Sequence, residues 1–162
     1  MKVFLNADEV FEMAIQIETN GAAFYRKAAG LQSDARNVEF LNGLAAMEDQ
    51  HKKTFAELRE KLTAGEMYQQ AFDPEGEASL YLQAVADTHG GEGSPSVADS
   101  LTGRETMEEI IRIALDLENK SILYYVGLKE MVRPDEEKKK VDNILSEEHK
   151  HVAQLTKALK KA

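Results

Sequence analysis

The chain repeats itself at a spacing of one hundred residues, and the residues that repeat are those a helical core tolerates least. Glu18, Glu48 and His51 recur as Glu118, Glu148 and His151, with no gap between the copies. Apolar and aromatic positions follow the same shift. Ala14 pairs with Ala114, Phe24 with Tyr124, Tyr25 with Tyr125, Leu41 with Val141, Leu44 with Ile144 and Phe55 with Leu155. In each copy a glutamate precedes a Glu-x-x-His segment by thirty residues. Residues three apart share one face of a helix, so each Glu/His pair can reach a common point. With twenty glutamates and four histidines in the chain, chance supplies about half a Glu-x-x-His match. Two matches in register, each with a further glutamate at the same offset, exceed that expectation.

Taken in order, the chain predicts four long helices and one crossover. Asn6 with Glu9 reads as an N-cap whose partner reaches back. Val10, Phe11, Ala14, Ile15, Ile17, Glu18, Ala22, Tyr25 and Ala29 then keep helical spacing as far as Gly30. The connection to Asp34 is short enough to force an antiparallel return. A second helix runs from about Ala35 to Ala64, with Phe40, Leu41, Leu44, Met47, Glu48, His51, Phe55, Leu58 and Leu62 on its inward face. Gly65, Pro74, Gly76 and the run from His89 to Pro95 punctuate residues 65–104. Within that crossover Ala78, Tyr81, Leu82 and Val85 predict one short helix, and His89 reads as an exposed loop residue. A third helix spans about Glu105 to Met131, its stripe carrying Ile110, Ile111, Ala114, Leu115, Glu118, Ile122 and Tyr125. Pro134 suits the first turn of a fourth helix, from about Asp135 to Lys160, with Val141, Ile144, Leu145, Glu148, His151, Val152, Leu155 and Leu159 inward. The expectation is one all-α domain over 1–162, a four-helix bundle of two helical hairpins joined by a long connection.

In every helix the polar residue lies on the apolar stripe. A carboxylate buried without a partner is costly, so four glutamates and two histidines converging from four helices ask for a shared one. That set matches a carboxylate-bridged two-metal centre built inside a bundle. Oxygen-rich donors with only two nitrogens favour iron or manganese over copper. Glu147 and His149 flank the second motif but point about 100° from their neighbours, and read as exposed. Tyr25 and Tyr125 lie two turns beyond Glu18 and Glu118. They read either as core aromatics or as phenols that donate to the ligand carboxylates and pass protons and electrons. Ala14, Ala22 and Ala114 leave room near the ligands. Gly21, Gly43 and Gly127 each cost a helix interior roughly 1 kcal/mol, and read either as points of close helix approach or as tolerated positions.

Composition excludes several alternatives. A net charge of -9 argues against nucleic acid or an anionic membrane surface as partner. With no cysteine there is no disulfide framework, thiol catalysis, thiolate zinc site or iron–sulfur centre on this chain. No apolar run reaches membrane-spanning length and the N-terminus lacks a signal-peptide pattern, so a soluble cytoplasmic protein is expected.

The segments Ile17-Glu18 through Phe24-Tyr25, Glu48-x-x-His51, Leu117-Glu118 through Tyr124-Tyr125, and Glu148-x-x-His151 resemble the rubrerythrin family of the ferritin-like superfamily. The resemblance covers nearly the whole chain. It implies a di-iron centre held by Glu18, Glu48, His51, Glu118, Glu148 and His151, and a homodimer. It also implies reduction of peroxide or dioxygen in oxidative-stress defence. Two departures stand out. The family's cysteine-bearing rubredoxin-like domain is absent, so electrons would come from an external rubredoxin-like carrier. The family's extra glutamate one turn from the third-helix ligand is also missing, since Ala114, Leu115, Ser121 and Ile122 occupy those positions. Ferroxidase or iron-storage activity, or a module that binds manganese or zinc without turnover, are the alternatives.

Overall fold

The computed structural model describes residues 6–62, 76–88, 97–132 and 135–161. Among them the chain is all-α. The long helices are α1 (Ala7–Gly30) and α2 (Ala35–Glu60), followed by the shorter α3 (Glu77–Thr88) and the single turn α4 (Val97–Ser100). Two further long helices, α5 (Met107–Met131) and α6 (Asp135–Leu159), complete the bundle.

The helix starts repeat as faithfully as the site residues do. At α1 the Asn6 side chain accepts from the Glu9 N–H while the Glu9 carboxylate accepts from the Asn6 N–H, both at 2.9 Å. One hundred residues on, Thr106 and Glu109 make the same reciprocal cap on α5, at 3.2 and 2.7 Å. Each cap satisfies two of the donors that a helix N-terminus leaves open. The third helix therefore begins at Met107, two residues after the expected start near Glu105. Glu105 instead folds back over a turn, accepting from the Thr102 N–H and hydroxyl at 2.8 Å and from the Gly103 N–H at 2.9 Å. Those donors hold its pKa at about 2. The turn needs Gly103, whose φ of +83° disfavours a side chain.

The helix expected within 65–104 is α3, and α4 is an additional turn the periodicity did not reveal. α2 ends at Glu60 with Lys61 as its C-cap, short of the expected end near Ala64; residue 64 itself lies outside the described residues, as do Pro74, His89 to Pro95 and Pro134. Among the described residues no helix is long and apolar enough to cross a membrane.

Two apolar clusters fill the bundle on either side of a polar middle. One gathers Val10, Phe11, Phe55, Leu58, Tyr125, Val141 and Ile144. The other gathers Tyr25, Leu41, Leu44, Ile110, Ile111 and Leu155. The hundred-residue shift exchanges them: Phe55 becomes Leu155, Val10 and Phe11 become Ile110 and Ile111, and Leu41 becomes Val141. The repeat is thus an approximate twofold relation through the polar middle. Each fully buried Leu, Ile or Phe contributes roughly 1.5–3 kcal/mol.

The covers break the symmetry. Leu82 of α3 seals the first cluster, and Ala98 and Leu101 seal the second. At the α3–α5 crossing, the Tyr81 hydroxyl donates to the Leu123 carbonyl at 2.9 Å. A Cβ at Gly127 would stand 2.9 Å from both Leu82 and Tyr81, so this glycine is required by close approach. Gly43, by contrast, faces open space and is a tolerated position.

Candidate metal centre

All six residues singled out by the repeat meet in the polar middle, each 5% exposed or less. α1 supplies Glu18, α2 supplies Glu48 and His51, α5 supplies Glu118, and α6 supplies Glu148 and His151. They form two overlapping groups, each with one donor atom per residue and all donors within 4.8 Å of one another. Glu18, Glu48, His51 and Glu148 make one; Glu48, Glu118, Glu148 and His151 make the other. Glu48 and Glu148 belong to both. Glu18 with His51, and Glu118 with His151, are the outer pairs. Sequence spacing brings the six together but does not say which two are shared; their lateral placement between the helices decides that.

Both imidazoles turn Nδ1 toward the carboxylates. His51 Nδ1 lies 3.0 Å from Glu148 Oε1 and 3.5 Å from Glu18 Oε2. His151 Nδ1 lies 3.0 Å from Glu148 Oε2 and 3.5 Å from Glu48 and Glu118. The rings face each other with centroids 5.6 Å apart.

The tyrosines cross over the centre. The Tyr25 hydroxyl of α1 donates to Glu118 of α5, and the Tyr125 hydroxyl of α5 donates to Glu18 of α1. Burial first, and the nearby carboxylates second, push both phenols well above their ordinary pKa. They therefore stay protonated as donors. Each outer glutamate is fixed by the opposite half of the repeat.

Glu147, expected to be exposed, is the main correction. Although its side chain is 41% exposed, its Oε2 lies 2.7 Å from His51 Nε2. The repeat places Met47 at the equivalent position, and its Sδ lies 3.3 Å from His151 Nε2. Residue direction on a helix identified Glu147 as outside the ligand face. It could not show that α2 runs close enough for that carboxylate to reach across. His149 is exposed, as expected.

Electrostatics divide the four carboxylates. Burial raises Glu18 and Glu48 well above the ordinary carboxylate pKa, and the charges of the neighbouring glutamates add to it. Burial also lifts Glu118, to about 7, against a hydrogen bond with His151. For Glu148 burial pushes the same way, but hydrogen bonds to His151 and His51 outweigh it and hold the group below its ordinary value. Burial lowers the two imidazoles, and their carboxylate partners overcome it, raising His51 to about 9 and His151 to about 10. Protons thus hold the cluster together unless a cation replaces them.

A small cavity of about 20 Å³ reaches the centre between α1 and α5, lined by Asn20, Gly21, Tyr25, Glu48, Glu118 and Ser121 among others. That volume suits one water-sized molecule. A Cβ at Gly21 would sit 3.5 Å from the Glu48 carboxylate, in ordinary contact.

No protein-family model matches the chain, and no curated protein matches it by sequence. Among solved structures it is similar to a crystal structure from Thermotoga maritima described as a candidate ferritin-like diiron-carboxylate protein. The TM-score is 0.71 at 19% identity, covering 97% of this chain and 96% of the other. At that identity the likeness establishes the fold, a ferritin-like all-α bundle.

Proposed function

We propose that this chain is a non-haem di-iron protein of rubrerythrin type that reduces peroxide or dioxygen with electrons from an external carrier. The observation that carries the reading is the pair of buried donor groups sharing Glu48 and Glu148. A fit test supports it. Glu18 Oε2 and Glu48 Oε1 are buried without a hydrogen-bond partner, and Glu148 Oε1 faces His51 Nδ1 at 3.0 Å. Unsatisfied buried acceptors cost about 1–3 kcal/mol each, and more when charged. Two divalent cations would satisfy all four atoms at once.

Two iron ions held there would supply one electron each, the pair that with two protons converts a peroxide to two waters. The chain's own residues do the rest. Glu48 and Glu148, which belong to both donor groups, would help to hold both ions. Glu18 with His51, and Glu118 with His151, would complete one position each. Tyr25 and Tyr125 hold the outer carboxylates in place and keep a proton beside them. The cavity at Gly21 and Ser121, with room for one water-sized molecule, would be the approach for a small oxidant. These 162 residues carry no cysteine, and on this reading a separate carrier supplies the reducing equivalents. The same resemblance carries a cytoplasmic homodimer as the working assembly, which sedimentation checks.

Ferroxidase activity is the second reading. It is favoured by the absence of an acidic residue one turn from Glu118, where Ala114, Leu115, Ser121 and Ile122 stand, which leaves the donor set at six residues. Anaerobic loading with ferrous iron, followed by peroxide in one sample and dioxygen in another, separates the two. Rapid oxidation by peroxide with an oxo-bridged ferric absorption supports the peroxidase reading. Fast oxidation by dioxygen with release of ferric iron supports the second. Failure to take up iron overturns both.

A further inference from the structure

The two halves of the centre are equal in their carboxylates and imidazoles and unequal in what stands behind the imidazoles. We infer that Glu147 is a positioning residue that makes the Glu18/His51 position the tighter of the two cation sites and the first to fill. The inference rests on the two-metal reading above and adds an order to it.

Both histidines present Nδ1 to the carboxylates, so the outward nitrogen of each is Nε2. Behind His51 that nitrogen meets Glu147 Oε2 at 2.7 Å. Behind His151 it meets Met47 Sδ at 3.3 Å. A carboxylate accepts and cannot donate, so it fixes the proton of His51 on Nε2 and leaves the Nδ1 lone pair facing the cation. It also increases the basicity of the ligating nitrogen. A thioether is a weak acceptor and does little of either for His151. Glu147 and Met47 are equivalent under the repeat, each one residue before a shared glutamate. The chain thus carries its own internal control. Losing the partner behind a metal-binding histidine typically lowers metal affinity about 10–100-fold.

Anaerobic titration with cobalt(II), followed by its visible ligand-field absorption and by calorimetry, reads the effect without turnover. In the unaltered protein two resolved steps are expected. Glu147→Ala should weaken the first step about 10–100-fold and leave the second, while Glu147→Gln, whose amide oxygen still accepts, should restore part of the loss. Met47→Glu should tighten the second step toward the first. Glu18→Ala should abolish the tighter step, and Glu118→Ala the weaker one. Because Glu147 lies partly in solvent, its loss leaves the fold intact; should the alanine variant not fold, Met47→Glu tests the same inference from the other half. Two cobalt ions bound by a single class of site, or an unmoved first step in Glu147→Ala, would overturn this inference and leave the two-metal reading standing. No cobalt uptake by the unaltered protein would overturn both.

Discussion

Glu48 and Glu148 occupy equivalent positions of the repeat, on α2 and α6, and both border each half of the centre. Yet burial and neighbouring carboxylates push Glu48 up, while the two imidazoles hold Glu148 down. Behind the histidines the halves differ again, with Glu147 on one side and Met47 on the other. The comparison teaches that a repeat can dictate which residues converge without making their environments equal. Convergence comes from helix periodicity. Inequality comes from a few side chains that reach across from the neighbouring hairpin.

The largest expected effect breaks the pairing of the two shared carboxylates. In metal-free protein Glu148 is the ionised partner of both imidazolium groups, so Glu148→Gln should cost about 3–5 kcal/mol. Glu48→Gln should cost less, because burial and the neighbouring carboxylates already push Glu48 toward its neutral form. Urea unfolding of both variants after chelation measures the difference; equal losses would contradict the assignment of charge to Glu148. In metal-binding assays the pair should behave alike, each losing both ions.

A second expectation concerns pH. The folded pKa values of His51 and His151, about 9 and about 10, lie above the unfolded value of about 6.5. Their contribution is therefore complete below pH ~6.5 and lost as pH rises through the folded values. Glu18 and Glu48, also raised, act in the same direction. The metal-free melting temperature should fall across the alkaline range. Loading should abolish that slope and release protons. Calorimetric scans with and without chelator decide it: parallel pH profiles would count against protons and cations competing for one cluster.

The tyrosines sharpen the comparison from the symmetric side. Tyr25→Phe and Tyr125→Phe each remove one buried donor to an outer glutamate, at about 1–2 kcal/mol apiece. Because each pair crosses the twofold relation, the two losses should match within error in chemical denaturation of the loaded protein.

Two effects of opposite sign lie at the glycines. Gly127→Ala should cost about 1–3 kcal/mol through overpacking against Tyr81 and Leu82. Gly43→Ala, in open space, should stabilise α2 by roughly 0.5–1 kcal/mol. Thermal melts of the two variants should move in opposite directions.

The bundle and all six central residues were legible in the sequence for one reason. Charged residues recurring on apolar stripes have few structural solutions, and the repeat aligned them without gaps. The capping box at Thr106 and Glu109 repeats that at Asn6 and Glu9 under the same shift and places the helix start two residues beyond the expected Glu105. Glu147 was not legible. Its direction from α6 is away from the ligand face, and only the spacing of α2 and α6 lets it meet His51. The shared role of Glu48 and Glu148, against the outer role of Glu18 and Glu118, depends likewise on lateral helix positions that periodicity does not encode.

The central claim is that two cations sit side by side in this bundle, sharing Glu48 and Glu148. Anomalous diffraction from crystals of the anaerobically iron-loaded protein tests it most directly. The account predicts two peaks per chain, one among Glu18, Glu48, His51 and Glu148 and one among Glu48, Glu118, Glu148 and His151. A single peak, or iron bound only away from these six residues, would contradict it.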